Sequence, residues 1–359
     1  MSGQLRIQRS FSIDHSLLRQ EVIRALQWLP ELSEWLECKH LLLTGGTGFF
    51  GKWLLILLSV LREQGVDIQV TVVSRDPARF LDANPFYRNA GWLHWVMADV
   101  RHVSLASQRF DLLLHGATDT SVAAQQDQLN IYDSILGGTR NMLENVVQAG
   151  IERVLLVGSG AQYGVLDAQL GPVGESCRLA CASEQAASAY GEAKRAAETL
   201  AALYADHHGF ELVHARCFAF SGPGLPLNEH FAIGNFVRDA LYADAIVLNS
   251  SGTAMRSYLH GADLAAWLLT ILVRGESGQA YNVGSDQAIS IIDLARRVIS
   301  RVAPGKPLYI LGNEDDCVRS FYVPDVGRAR SLGLDVWTDL DISIDSMACW
   351  GRQAYRLTD

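Results

Sequence analysis

Between Asp14 and Cys38, Leu18, Val22 and Leu26 recur at i, i+4 spacing, which predicts an amphipathic helical segment broken at Pro30. From His40 the rhythm changes to short apolar runs separated by helical stretches. Leu41 to Thr44 predicts a buried strand, Gly51 to Gln64 a helix, and Ile68 to Ser74 a second strand. Trp92 to Ala98 and Leu112 to His115 predict two more strands. A helix from Thr139 to Ala149 ends at Gly150, where a left-handed cap is wanted, and the strand Arg153 to Val157 comes next. Strands alternating with helices imply an α/β class with a parallel sheet covered on both faces. The alternation stops at Ser221-Gly222-Pro223-Gly224-Leu225-Pro226, and helices from Ala262 to Val273 and Ile291 to Val302 punctuate the rest of the chain. Residues 1–39 are therefore expected to form a helical extension and 40–220 the main domain, with a return segment near 254–274. Residues 221–359 are expected to form most of a smaller, discontinuous second domain.

Composition narrows the class of partner. The 359 residues are 49% hydrophobic and carry a formal charge of -9, with 30 Lys and Arg against 39 Asp and Glu. A binder that neutralises nucleic-acid phosphates normally shows a basic surplus, so no nucleic-acid partner is expected. The six cysteines are scattered without a C-x-x-C pair, which suits free thiols in a reducing compartment. The first 20 residues show no apolar signal core, and four glycines and Lys52 interrupt the apolar stretch from Leu41 to Leu61. A cytoplasmic protein with no membrane partner is the expectation.

Between the first strand and its helix stands Thr44-Gly45-Gly46-Thr47-Gly48-Phe49-Phe50-Gly51. Glycines at 45, 48 and 51 make a G-x-x-G-x-x-G variant of the dinucleotide fingerprint. In that pattern the first allows a tight turn, the second lets backbone approach a pyrophosphate, and the third lets helix and strand pack closely. The free N–H groups of the helix start, about Thr47, Phe49 and Phe50, would meet the phosphates. Gly46 to Lys52 also matches part of a nucleoside-triphosphate loop, but Trp53 stands where a Ser or Thr must hold magnesium. The second strand ends Val73-Ser74-Arg75 with no acid for the ribose hydroxyls, and an arginine there favours a 2′-phosphate, hence NADP over NAD. Asp76 directly after it keeps open the alternative of an ordinary exposed loop arginine. Asp99, after the third strand, is expected at the adenine edge.

Ser159 ends a strand, and Tyr190 and Lys194 lie one turn apart on one helix face. A neighbouring ammonium would lower the phenol's pKa, letting Tyr190 move a proton to or from a substrate oxygen that Ser159 also holds. Alone, Y-x-x-x-K arises by chance on many helices. In this order, glycine turn, Arg75, Ser159, then Tyr190 and Lys194, it is specific.

With those residues in place, the chain resembles the extended short-chain dehydrogenase/reductases, a group of nucleotide-sugar epimerases, dehydratases and ketoreductases. The resemblance runs from about Leu41 to Leu334. It rests on the 44–51 turn, His115-Gly116-Ala117-Thr118, Gly138-Thr139, Ser159 before Tyr163-Gly164, Tyr190 with Lys194, and Arg216 before Gly222-Pro223. Arg256-Ser257-Tyr258, Asp263 and Tyr281-Asn282-Val283-Gly284 complete it. The resemblance implies a seven-stranded, doubly wound Rossmann sheet with a smaller C-terminal substrate domain. It also implies Ser159, Tyr190 and Lys194 as catalytic positions, the last two touching cofactor as well. Asp99-Val100 and Gly116-Ala117-Thr118 complete the cofactor side. Asn235, Arg256 and Arg319 are expected at the diphosphate of a nucleoside-diphosphate sugar, and a homodimer through the Thr139 and Tyr190 helices is implied.

Three departures matter. Dehydratases of the group place Asp-Glu directly after the serine or threonine, whereas this chain has Gly160-Ala161. Ile135 and Ala219 replace two asparagines. Cys177 and Cys181 lack enough neighbouring ligands for a metal site, and His207-His208 suits a helix C-terminus. The leading expectation is NADPH-dependent reduction of a nucleotide-linked 4-keto-6-deoxy sugar. A 4-epimerase with tightly bound cofactor and a non-catalytic dinucleotide sensor are the alternatives.

Overall fold

The computed structural model describes residues 5–7, 15–118, 126–312 and 320–357. The opening amphipathic segment forms two helices, α1 (His15–Leu26) and α2 (Leu32–Leu36), with Pro30 in the break. The central sheet then contains β1 (His40–Thr44), β2 (Gln69–Ser74), β3 (Leu93–Met97), β4 (Leu112–His115), β5 (Arg153–Ser159), β6 (Glu211–Cys217) and β7 (Ala280–Val283). Its spatial order is β3-β2-β1-β4-β5-β6-β7, parallel throughout. Between strands run α3 (Phe49–Glu63), α4 (Gln128–Ala149) and α5 (Ala189–His208). This is the doubly wound α/β sheet that the alternation predicts.

Side chains alternate between the two faces, as a strand requires. Leu41, Leu43, Val70, Val72, Leu112 and Leu114 point into one core, and Leu42, Val73, Leu113, Val154 and Leu156 into the other. The second core is closed by α4 and α5. Two expected boundaries move. The helix expected from Thr139 begins at Gln128, where the Asp127 carboxylate caps it by accepting the Asn130 N–H at 3.1 Å; its first turns are half exposed and carry little apolar rhythm. Strand β5 continues past Val157 because Gly158 and Ser159 still pair with Arg216 and Cys217.

After β6 the chain forms α6 (Ala232–Tyr242) and then α7 (Gly261–Arg274), which returns to the sheet and packs on α3. Later come α8 (Ile291–Val302) and α9 (Leu340–Ala354), which pack with α6. Met255–Arg256 runs between Ile289–Ser290, antiparallel, and Phe321–Tyr322, parallel. Among the described residues no helix is long and apolar enough to cross a membrane.

The apolar stretch from Leu41 to Leu61 is thus a strand and a helix. Residues 53 to 61 of α3 are buried on every side, as are residues 261 to 272 of α7. A helix apolar all round must be covered all round, and the N-terminal helices supply the outer cover: α1 packs on both α3 and α7, and α2 on α7. The extension is part of the core.

One polar pair lies inside that contact. Glu21 of α1, 1% exposed, faces the Nε2 atom of His260 at 3.5 Å, at the start of α7. Burial pushes the Glu21 carboxyl up to about 7, against the nearby Ser346 hydroxyl and the charge of Arg24, and holds the His260 imidazole down at about 3. A raised carboxyl means the folded chain holds a proton that the unfolded chain releases near 4.5, so this contribution is full below 4.5 and is lost as pH rises through about 7. Melting temperature measured from pH about 5 to 8 is expected to fall more steeply for the wild type than for Glu21→Gln. Parallel curves would remove Glu21 as the cause.

Candidate active site

The glycine turn leaves the sheet between β1 and α3. Gly45 has φ +78, and a Cβ there would lie 2.7 Å from the carbonyl of Gly116 at the end of β4. A Cβ on Gly51 would meet the Gly46 backbone at 2.2 Å, so the third glycine packs the helix against its own turn. Close approach to the strand falls instead to Gly46, whose Cβ would sit 2.6 Å from Val72. Gly48 differs: its nearest neighbour would be the Gly45 carbonyl at 3.5 Å, ordinary contact. It is exposed, it is the N-cap of α3, and no side chain caps that helix start. Packing within the protein leaves Gly48 free to carry a side chain, so its bare backbone makes a cradle for an anion at the helix N-terminus. An NAD-type dinucleotide fits this donor set. Of the neighbouring positions, Thr47 and Phe49 are half-buried, and the Phe50 ring turns inward onto Phe220 at 4.8 Å.

Thr44 ties the two strand ends together, a role its sequence context did not signal. Its Oγ1 accepts N–H bonds from Gly116 and Ala117, both at 3.1 Å, so its own proton goes to Nδ1 of His115 at 2.7 Å. The other ring nitrogen meets Thr139 at 3.3 Å. Burial, with the Lys194 charge adding to it, keeps His115 neutral at about 3. Thr118 comes next and joins this scaffold to the lysine: its Oγ1 donates to the Ala117 carbonyl at 2.8 Å and accepts from Lys194 Nζ at 2.8 Å. Lys194 also donates to the Val157 carbonyl at 2.9 Å. A cavity of about 10 Å³, room for one water, lies among His115, Thr118, Thr139 and Lys194.

Ser159 closes β5 and is 6% exposed rather than open. It caps a short turn, Gly160–Tyr163, with Oγ accepting the Ala161 N–H at 3.1 Å and Gln162 Oε1 facing the Ser159 N–H at 3.5 Å. Behind it, Gln162 donates to Glu198 at 2.7 Å, and Glu198 is ion-paired with Arg216. Arg216 reaches Tyr163 Oη at 2.8 Å.

The expected effect of lysine on tyrosine is not what this geometry produces. Burial raises the Tyr190 phenol, and a hydrogen bond with Ser159, not the ammonium, opposes that rise. The Lys194 ammonium is held by Thr118 and a strand carbonyl, and burial pushes it down to about 8. The structure therefore ties Lys194 to the end of β4 through Thr118 rather than to the Tyr190 phenol.

At the end of β2, Ser74 Oγ accepts the Asp76 N–H at 3.3 Å, while the Asp76 carboxylate caps the helix Pro77–Ala83 by accepting the Arg79 N–H at 3.0 Å. Asp76 is thus a cap. Arg75 is exposed, and its charge reaches Asp99. Asp99 is held low, at about 2, chiefly by its hydrogen bonds to Arg101. The Val100 carbonyl is held by Asn141 at 2.8 Å. In the second lobe, Asn235 Oδ1 accepts from Arg238 at 3.0 Å, and Arg256 donates to Ser320 Oγ at 3.1 Å with its guanidinium 5.9 Å over the Tyr322 ring. No described contact joins Asn235 to Arg256, and Arg319 lies outside the described residues. Tyr322 was not anticipated. Its hydroxyl stands 2.7 Å from where a Cβ on Gly160 would be, beside Ser159.

A parallel sheet with an open helix N-terminus at its switch point and a Ser, Tyr and Lys set beside it defines a dinucleotide-dependent enzyme fold. The model of the NAD dependent epimerase/dehydratase family matches residues 41–284, and the chain belongs to that family. UDP-glucuronic acid decarboxylase 6 of Arabidopsis thaliana is 30% identical over 195 residues, 54% of this chain and 55% of that protein. The chain thus spans about half the length of that curated relative. The solved UDP-glucose 4-epimerase of Thermotoga maritima, with UDP-glucose, is 19% identical with a TM-score of 0.73, covering 88% of this chain and 99% of that one. The dTDP-glucose 4,6-dehydratase of Streptomyces venezuelae, with NAD and TYD bound, is 23% identical with a TM-score of 0.74, covering 88% and 97%. At these identities the two structures establish a shared fold.

The glycines separate folding from binding. Gly51→Ala is expected to cost about 3 kcal/mol or more, since backbone must move. Gly48→Ala is expected to stay within about 1 kcal/mol of wild type yet weaken dinucleotide binding about tenfold or more. Denaturant unfolding and a fluorescence titration with NADPH and NADH measure the two quantities. Equal dinucleotide affinity in Gly48→Ala and wild type would exclude the cradle.

Proposed function

We propose that the chain reduces the keto group of a nucleoside-diphosphate 4-keto-6-deoxy sugar with NADPH. The observation that supports this best is that, among the described residues, the groups beside Ser159 are hydroxyls, with no free acid among them. Gly160 and Ala161 cannot move a proton, and Glu198 is committed to Arg216 and Gln162. Removing water from a sugar ring needs a further acid and base; reducing a carbonyl needs one proton donor. The Tyr190 phenol, raised above its ordinary value, is protonated at neutral pH and so has a proton to give.

When bound, the reduced nicotinamide supplies the hydride. Tyr190 gives its proton to the substrate oxygen, Ser159 hydrogen-bonds the same oxygen, and Lys194 holds the Thr118 edge of the crevice in place. The phenolate left on Tyr190 regains a proton from solvent, which balances the cycle. Arg75 and Ser74 favour a 2′-phosphate, since Asp76 is withdrawn into a helix cap. Arg256, Asn235 and Arg319 are the candidates for the sugar nucleotide's diphosphate. A homodimer through α4 and α5 accords with the apolar side chains they expose, Leu129, Tyr132, Val147 and Leu203.

Purified protein mixed with NADPH and a 4-keto-6-deoxy sugar nucleotide is expected to consume the two in equal amounts. Tyr190→Phe should lower kcat about 10²–10⁴-fold with NADPH affinity nearly unchanged. In the same assay Arg75→Ala should cut the preference for NADPH over NADH about tenfold. Interconversion of an unmodified sugar nucleotide without loss of NADPH would replace this reading with a 4-epimerase. Dinucleotide binding without turnover of either sugar would leave a sensor.

A further inference from the structure

A cavity of about 460 Å³ lies beside the Gly160–Tyr163 turn and takes no part in the proposed reduction. That is the size of a small-molecule pocket. The ion pair of Arg216 with Glu198 lines it, together with Gln162 and Tyr163, which bond to that pair. These two charges satisfy each other: Glu198 accepts from two nitrogens of Arg216 and from Gln162. The other acid of the lining, Glu175, accepts the Asn282 N–H at 2.8 Å.

Arg178, from the loop before α5, and Arg195, on α5, line the same cavity and are exposed. Among the described residues, neither guanidinium has a hydrogen-bond or ion-pair partner. Three arginines against two acids leave the lining with an excess of positive charge, and two uncommitted forks suit a dianion such as a phosphate monoester. The rest of the lining decides what that ester carries. Ser176 and Thr199 are exposed and bring hydroxyls. Tyr163, the aromatic residue of the lining, is 2% exposed, and the Arg216 guanidinium lies 5.1 Å from its ring centre. Among the described residues the cavity thus offers no open ring face to a nucleobase, whereas its hydroxyls match those of a sugar.

We propose that this cavity binds a sugar phosphate, with the phosphate between Arg178 and Arg195, as an effector of the site at Ser159. The route between the two is short. Gln162 donates to Glu198 at 2.7 Å, and its Oε1 faces the Ser159 N–H at 3.5 Å. A dianion in the cavity competes with Glu198 for the Arg216 guanidinium and repels the Glu198 carboxylate. The hold of Glu198 on Gln162 then loosens, and the turn that places Ser159 loosens with it, so turnover falls. The binding site stands whatever reaction the crevice performs; the effect on turnover rests on the proposed reduction.

Titration calorimetry on the full chain loaded with NADPH tests the site, with glucose 1-phosphate, uridine monophosphate and inorganic phosphate as probes. Glucose 1-phosphate is expected to bind about tenfold more tightly than either of the others. Arg178→Gln combined with Arg195→Gln, both at exposed positions, should weaken it about tenfold or more, whereas Arg256→Gln in the second lobe should leave it unchanged. Equal affinity in the double variant and wild type overturns the site, as does loss of binding in Arg256→Gln or the absence of binding at millimolar concentration. Tighter binding of uridine monophosphate overturns the sugar. In the reductase assay, saturating glucose 1-phosphate should lower kcat about fivefold at nearly constant KM in the wild type and have no effect on the double variant. An unchanged kcat overturns the effector role, and so does a raised KM alone, which would put the ligand in the crevice. If the wild type reduces no keto sugar, the reductase reading fails alone, because calorimetry still decides the site.

Discussion

The site depends on two backbones touching where the sheet changes direction. β1 and β4 are neighbours, and the helices that come after them leave for opposite faces, so a crevice opens at their carboxyl ends. Gly45 and Gly116 meet there at a distance no Cβ tolerates. The Thr44 hydroxyl then takes two N–H groups from the neighbouring loop. Once that contact is made, Ala117 and Thr118 have fixed positions, and Lys194 is anchored through Thr118. A glycine turn that looks like a ligand feature is equally a joint between strands.

From that joint inward the site is governed by loss of water. Burial pushes each titratable group toward its neutral form: Lys194 downward, Tyr190 upward, His115 to a neutral imidazole, and Cys217 up to about 12. Hydrogen bonds rather than ion pairs hold these groups in place. The nearby ion pair, Glu198 with Arg216, stands behind the turn after Ser159 and stiffens it.

Much of this was legible in the chain, because its signals were local. The alternation of Leu41, Leu42 and Leu43 between two cores, the glycine spacing, and Tyr190 one turn from Lys194 each span a few residues. What escaped depended on contacts between distant segments. Lys194 was expected to act on Tyr190, its neighbour on the helix face, but Thr118 and the Val157 carbonyl hold its ammonium. Tyr322 carries no motif and stands against Gly160 only because its strand pairs with Met255–Arg256. The leading helices resembled nothing recognisable, yet the all-round apolarity of α3 and α7 already required an outer cover. Arg75 kept its place at the end of β2, while Asp76 turned out to serve the next helix.

Ser159 occupies two structures at once. Its Oγ closes the turn that leads to Tyr163, and the same side chain is the serine proposed to hold the substrate oxygen. Replacing this serine alters shape and chemistry together, so a loss of turnover in such a variant says little about either alone. A chain that improved the hydroxyl as a hydrogen-bond donor would first have to find another way to finish β5.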